Sequence, residues 1–387
     1  MNACQLRSAA ANLQLADLLD RHTTVGTLWR GEDGRVRCVA CGHRCLLAAG
    51  RRGICKVRFN KGEQLRVPFG YVVGGLASDP VEKKPFFHVY PGSDALTFGM
   101  LGCNFHCPYC QNWVTSQALQ DNTAGLAIVQ LSPERIIKAA QCNGVRLLVS
   151  SYNGPLITAE WAVAVFQQAN QAGFACAIVS NGNATPEALD FLRPCIVACK
   201  IDLKGFDDAR YRTLGGVLGH VIEGIRIAHD RGLWLEVVTL VVPGFNDSEA
   251  ELRDIAKFIA SVGRDIPWHV TAFHPDYKMT GSPATSAQQL IRAAEIGAEE
   301  GLHFVYAGNL PGHVGPWENT FCPQCRETLI TRIGYRVSDY RITSEGKCPK
   351  CQTPVPGIWP ANELLELNLA GPISDSFRRG PRRLQFS

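Results

Sequence analysis

The 387-residue chain contains no apolar run long enough to cross a bilayer as a helix, which takes about 20 residues. Its first 21 residues lack the charged start, apolar stretch and small-residue cleavage site of a secretory leader. These absences argue against a membrane or exported protein and for a cytoplasmic one. Excess charge of one sign is also scarce. The net charge is +4 and the sequence pI about 8.3, too mild to indicate a nucleic-acid partner. Neither an internal repeat nor a low-complexity tract is present, so a stacked-repeat architecture is set aside. With 46% hydrophobic and 19% charged residues, the chain can bury a substantial core, which excludes a mainly disordered protein. The basic run from Phe377 to Arg383 reads as a solvated, frayed terminus.

Cysteine, by contrast, is abundant, with sixteen in the chain. In a reducing cytosol that count points to metals rather than disulfides. Eleven of them fall into three groups: Cys38, Cys41, Cys45 and Cys55; Cys103, Cys107 and Cys110; Cys322, Cys325, Cys348 and Cys351. Of the scattered remainder, Cys142, Cys176, Cys195 and Cys199 lie in or beside apolar segments and read as small core residues.

The texture changes along the chain. Residues 1–93 read as a short amphipathic N-terminal helix, with Leu13, Leu15, Leu18 and Leu19, followed by a Gly-, Arg- and Cys-rich extension. From 94 to 308, short apolar runs alternate with helical patterns. Strands are expected near 94–101, 145–150, 175–180, 196–201, 233–241, 268–273 and 303–307. Helices are expected near 132–142, 156–172, 185–193, 218–230, 247–262 and 285–300. Ser132-Pro133, Thr185-Pro186 and Asn246-Asp247-Ser248 supply start signals for three of them. This alternation predicts an α/β fold, a parallel sheet with right-handed crossovers. Six or so βα units are too few for a full eight-fold barrel, so a partial (βα)6-type barrel is expected, with chemistry at the C-terminal strand ends. Residues 318–360 form a Cys-rich module, and 361–387 a C-terminal tail.

The run Gly102-Cys103-Asn104-Phe105-His106-Cys107-Pro108-Tyr109-Cys110 follows the first of the barrel strands. Three cysteines at C-x3-C-x2-C match three irons of a [4Fe–4S] cubane and leave the fourth without a protein thiolate. An open metal position marks a reactive site rather than a structural one. S-adenosylmethionine (SAM) can occupy it through its amino and carboxylate groups. An electron from the cluster then cleaves the sulfonium to methionine and a 5′-deoxyadenosyl radical. A zinc knuckle or an ordinary electron-transfer cluster is the plainer alternative.

The spacing, with Tyr109 before the last cysteine, resembles the radical SAM superfamily, whose aromatic at this place borders the adenine. Further segments extend the likeness: Asp79-Pro80-Val81-Glu82-Lys83-Lys84-Pro85, Tyr90-Pro91-Gly92, Gln111-Asn112-Trp113, Pro267-Trp268-His269-Val270, the run Phe273 to Met279, and Val305-Tyr306-Ala307-Gly308-Asn309. They are similar to the radical SAM enzymes of the AmmeMemoRadiSam system, and through them to pyruvate formate-lyase activating enzymes, which make glycyl radicals in partner proteins. The resemblance implies SAM contacts from Tyr109, Asn153, Ser180, Asn181, Asp202, Lys204 and His274. A surface salt bridge for Lys204 and a structural hydrogen bond for His274 are the bland readings. One departure stands out. Relatives carry Tyr-Asn-Glu-Pro where this chain has Tyr152-Asn153-Gly154-Pro155, so the acid that helps hold the SAM amino group is absent. Gly154 lets backbone approach closely, and Glu160 is a poor substitute, a helical turn or more further on.

The two Cys-Pro-x-Cys pairs at Cys322/Cys325 and Cys348/Cys351, with 22 residues between them, predict a closed four-sulfur site of the zinc-ribbon or rubredoxin kind, for zinc first and iron second. The series Cys38, Cys41, Cys45, Cys55 fits either a structural metal, which the spacing reading prefers, or an auxiliary cluster. The expected activity is reductive SAM cleavage followed by hydrogen abstraction from an unidentified substrate, with a partner protein first. Radical modification of a small molecule or RNA, or a metal-binding interaction protein without catalysis, are the alternatives. A flavodoxin or ferredoxin is the expected electron donor. Memo-like and AMMECR-like proteins are the partners the resemblance implies.

Overall fold

Seven apolar runs between Asp94 and Gly308 pair side by side in chain order as one parallel sheet: β1 (Asp94–Phe98), β2 (Leu147–Ser150), β3 (Ala175–Ser180), β4 (Ala198–Asp202), β5 (Trp234–Val241), β6 (Trp268–Ala272) and β7 (Val305–Gly308). Most of their residues are buried on both faces, which is why they read as continuous apolar runs. Each crossover carries a helix: α1 (Pro133–Cys142), α2 (Ala159–Gln171), α3 (Pro186–Leu192), α4 (Leu218–Asp230), α5 (Glu249–Val262) and α6 (Ala287–Glu299). Ser132, Thr185 and Ser248 each cap a helix by accepting a backbone N–H, as their positions predict. A short extra helix, Asp208–Thr213, was not legible as a periodic pattern because it has only six residues. The structure is a computed structural model that describes residues 15–359 and the backbone of 382–383.

Ala77–Pro80 adds antiparallel to β1, and Arg382–Arg383 pairs with it in turn at the sheet edge. The tail, expected to fray, thus contributes a two-residue strand, and the reason is the free hydrogen-bonding groups of an edge strand. Small antiparallel sheets precede the barrel. One joins Thr23–Val25, Gln64–Pro68 and Phe59–Lys61, and another Trp29–Glu32, Arg35–Cys38 and Leu46–Leu47. Residues 15–21 are helical, with Leu19 buried, Leu15 partly buried and Leu18 exposed, while Leu13 lies outside the described residues. Cys176, Cys195 and Cys199 are buried as expected, but Cys142 is exposed, because it ends α1 on the side turned from the sheet. No helix among the described residues is long and apolar enough to cross a membrane.

Strands β8 (Thr320–Phe321), β9 (Thr328–Ile333) and β10 (Arg336–Tyr340) form the sheet of the C-terminal module. A buried polar chain fastens it to the barrel. Arg332 Nη1 donates to Thr320 Oγ1 at 2.7 Å, which lies 2.9 Å from the Tyr306 hydroxyl, which is 2.7 Å from His88 Nε2. His88 Nδ1 donates to the Pro356 carbonyl at 2.6 Å, so Nε2 must accept from Tyr306. Burial holds this imidazole neutral, with its pKa down at about 4. Beside it the fully buried Glu236 carboxylate accepts from the Phe87 and His88 amides, Trp234 Nε1 and His269 Nε2. Four donors compensate the cost of burying that charge.

Candidate active site

The C-terminal ends of β1 to β4 and β6 converge on the loop that follows β1. Phe98 ends β1, and Gly102, at φ +99°, turns the chain into Cys103. A side chain there would be strained and would stand 2.9 Å from Val57. Cys107 is buried, and Cys103 and Cys110 are half-buried. Desolvation pushes the Cys103 and Cys107 thiols up to about 12, with Lys204 pulling both back. Donors converge on the sulfurs. Phe105 N donates to Cys103 Sγ at 3.4 Å, Asn181 Nδ2 lies 3.8 Å from it, and Ser116 Oγ is 3.2 Å from Cys110 Sγ.

Lys204 stands beyond β4 with its Nζ 3.2 Å from Asp202, and Lys200 contacts the other carboxylate oxygen. Against the upward pull of burial, the two lysines hold the Asp202 carboxyl at about 2. Burial opposes the Lys204 charge, but Asp202, Cys107 and Tyr109 keep its pKa well above the ordinary value. Lys204 is therefore no surface salt bridge; its side chain is 16% exposed. Tyr109 is buried and packs edge-on against Phe245. The amide of Asn153 is held by Met100 N and Thr158 Oγ1, and Ser180 Oγ accepts from Gly182 N. His274 is exposed, and its Nδ1 lies 2.9 Å from the Pro275 carbonyl. The segment after β6 crosses the cysteine loop. Lys278 N donates to Pro108 O, Tyr277 stacks on Trp113 at 5.1 Å, and the Tyr277 hydroxyl donates to Asp121.

Three neighbours were not among the expected site residues. Asn104 is 1% exposed; its Oδ1 accepts from Asn181 at 2.8 Å and its backbone carbonyl lies 3.0 Å from His43 Nε2. Its position inside the C-x3-C loop was the available signal. Tyr211 accepts Lys204 N at 2.8 Å from the short helix. The third is Arg58. The absent acid has its structural counterpart at Gly154, where a Cβ would stand 3.2 Å from Asn104 Oδ1 and 3.4 Å from Cys103 Sγ. Backbone there lies against the cysteine loop. Glu160 is committed elsewhere: it accepts from both Arg58 Nη atoms at 2.8 Å and from the Thr27 and Leu28 amides. Replacing Glu160 with Ala strands a guanidinium that is 1% exposed. The expected loss is about 3–5 kcal/mol in urea unfolding; an unchanged midpoint would show the pair to be incidental.

The residues fit the group their spacing suggests. Three thiols with converging N–H and O–H donors suit a sulfur-ligated cluster, and among the described residues only the C-terminal four cysteines gather their ligand atoms within 4.8 Å as a single ion requires. There Cys322 and Cys351 sulfurs are 3.5 Å apart, and those of Cys325 and Cys348 3.7 Å. Each knuckle closes with a residue at positive φ, Arg326 and Gln352, so the two halves match. This group could bind a metal.

A parallel βα sheet with this cysteine loop at its C-terminal edge defines the radical SAM class, and the Radical SAM superfamily model matches residues 98–259. The chain belongs to that superfamily; it is a radical SAM enzyme, and its cofactors are a [4Fe–4S] cluster and SAM. It is 36% identical over 326 residues to an uncharacterized protein of Methanocaldococcus jannaschii, covering 83% of this chain and 95% of that protein. It is 28% identical over 123 residues to the isethionate sulfite-lyase activating enzyme of Oleidesulfovibrio alaskensis, 31% of this chain and 39% of the relative. Among solved structures, a radical SAM methyltransferase from Sphaerobacter thermophilus aligns with TM-score 0.45 and 15% identity over 77% of this chain and 82% of that one.

Proposed function

We propose that Cys103, Cys107 and Cys110 hold the [4Fe–4S] cluster, and that reductive cleavage of SAM there yields a 5′-deoxyadenosyl radical that takes hydrogen from a partner protein. The observation that carries the site is the meeting of the three thiols with Lys204 and Asn181 at the strand ends. Lys204 supplies a buried cation for the SAM carboxylate, fixed in place by Asp202. Tyr109 walls the adenine side. Asn153, Ser180 and His274 are further SAM-contact residues in this reading. With Gly154 in place of an acid, Asn104 and Asn181 present the amides nearest Cys103. The C-terminal four cysteines hold zinc in a structural site.

The partner reading is supported by the activating-enzyme relative and by the AmmeMemoRadiSam-like motifs from Asp79 to Asn309. Memo-like and AMMECR-like proteins are its first candidates, a flavodoxin or ferredoxin its electron donor, and the cytoplasm its compartment. The test uses reconstituted enzyme, reductant, SAM and a perdeuterated partner of each kind. Deuterium in the 5′-deoxyadenosine is the expected result. Product free of deuterium with both partners sinks the partner reading and leaves the cleavage reading intact.

A further inference from the structure

The N-terminal cysteines form a site distinct from the ribbon in its geometry. Cys38 ends the strand Arg35–Cys38, and its amide donates to the Cys45 carbonyl at 2.9 Å. Cys41 lies in the connecting turn, and Cys55 comes from the next, where Gly53 N bonds the Arg58 carbonyl. Cys38, Cys41 and Cys55 are buried and Cys45 is half-buried. Cys38 interacts electrostatically with each of the other three, so it lies near all of them.

Two features separate a single ion from a cluster. Four thiolates on one zinc, each about 2.3 Å from it, must crowd together. The ribbon cysteines do so, and among the described residues they alone bring their ligand atoms within 4.8 Å. The N-terminal four keep a wider frame, as thiolates do when each binds a separate iron of a cubane. The second feature is a pair of buried donors beside these sulfurs without a full hydrogen bond. Arg58 is 1% exposed and feels the charge of Cys38 and Cys55; its Nη atoms are taken by Glu160 and the Ile157 carbonyl, while Nε has no partner. Asn104, equally buried, donates weakly towards Cys41, and its Nδ2 has no partner at full hydrogen-bond geometry. A buried unpaired N–H is costly. Metal-bound thiolates can accept such bonds, and the bridging sulfides of a cluster add four further acceptors.

We propose that Cys38, Cys41, Cys45 and Cys55 bind a second [4Fe–4S] cluster, with Arg58 and Asn104 donating to its sulfurs. Four protein thiolates close all four irons, so this cluster has no place for SAM. Asn104 forms a shared wall between the two sites, since its side chain also stands 3.8 Å from Cys103 Sγ.

The test is made on the full chain, reconstituted anaerobically with iron and sulfide. A Cys103→Ala/Cys107→Ala/Cys110→Ala variant is expected to keep about four labile sulfides per chain and to give a half-integer-spin EPR signal on dithionite reduction. The ribbon contributes no sulfide, because a single-ion site has none. A Cys38→Ala/Cys41→Ala variant with the central loop intact is expected to fall two-fold, from about eight sulfides to about four. This second variant decides the matter if the first fails to fold. One zinc and no labile sulfide at the N-terminal site, or an unchanged sulfide content in the second variant, overturns the proposal.

Discussion

Replacing Cys107 with Ala is expected to lower 5′-deoxyadenosine formation at least about 1,000-fold, equivalent to about 4 kcal/mol of barrier. Cys107 is the middle cysteine of the loop, 7% exposed. Burial pushes its thiol up to about 12, and Lys204 is the largest influence in the opposite direction. That environment disfavours a free thiolate, so the cysteine gains its charge only by binding metal. Without it two irons lack a protein ligand, and Cys103 and Cys110 cannot hold a cubane in register for SAM. The assay compares product and iron content of the reconstituted parent and variant. Cys142→Ala, at the exposed end of α1, is the control expected to behave as the parent. Product formation by the Cys107 variant at the parental rate would remove the central loop from the chemistry.

The next largest effect is expected from the C-terminal ribbon. Stripping the metal proposed for it, or replacing Cys348 with Ser, is expected to unfold residues 318–359, with an apparent loss on the order of 10 kcal/mol for that module. Its three strands have only two, six and five residues. Its apolar core is small, resting on residues such as Leu329, Ile330, Val337 and Ile342. Modules of this size need a staple. Acid should promote release, because protons compete for the thiolates; hydrogen bonding with Thr353 pulls Cys351 down to about 6. Limited proteolysis and metal stoichiometry check the prediction. Equal protection of parent and variant within 318–359 would show that the ribbon folds on packing alone. Loss of the ribbon would also expose the chain from Arg332 through Thr320 and Tyr306 to His88, since Arg332 and Thr320 come from it.

The barrel was legible because its signals are local. Strands buried on both faces read as apolar runs, helices announce themselves by caps such as Thr185 and Ser248, and both periods survive without knowledge of neighbours. The cysteine loop was legible because its three cysteines lie within eight residues of one another. Asp202 and Lys204 could be placed at a strand end for the same reason. The partners of these residues could not. Asn181 reaches Cys103 across 78 positions, and Arg58 reaches Glu160 across 102. No periodicity encodes such distances, because they depend on how separate elements pack.

By itself, then, the sequence determined the βα alternation, the three cysteine groups and the C-x3-C-x2-C spacing of the central one. Those properties follow from residue type and short spacing. Tertiary structure alone decided that Glu160 is spent on Arg58, that Asn104 stands between Cys103 and Cys41, and that the ribbon is wired through His88 to the barrel. Each of these is a contact between distant segments, where burial makes unpaired charges and donors costly and so selects which groups must meet.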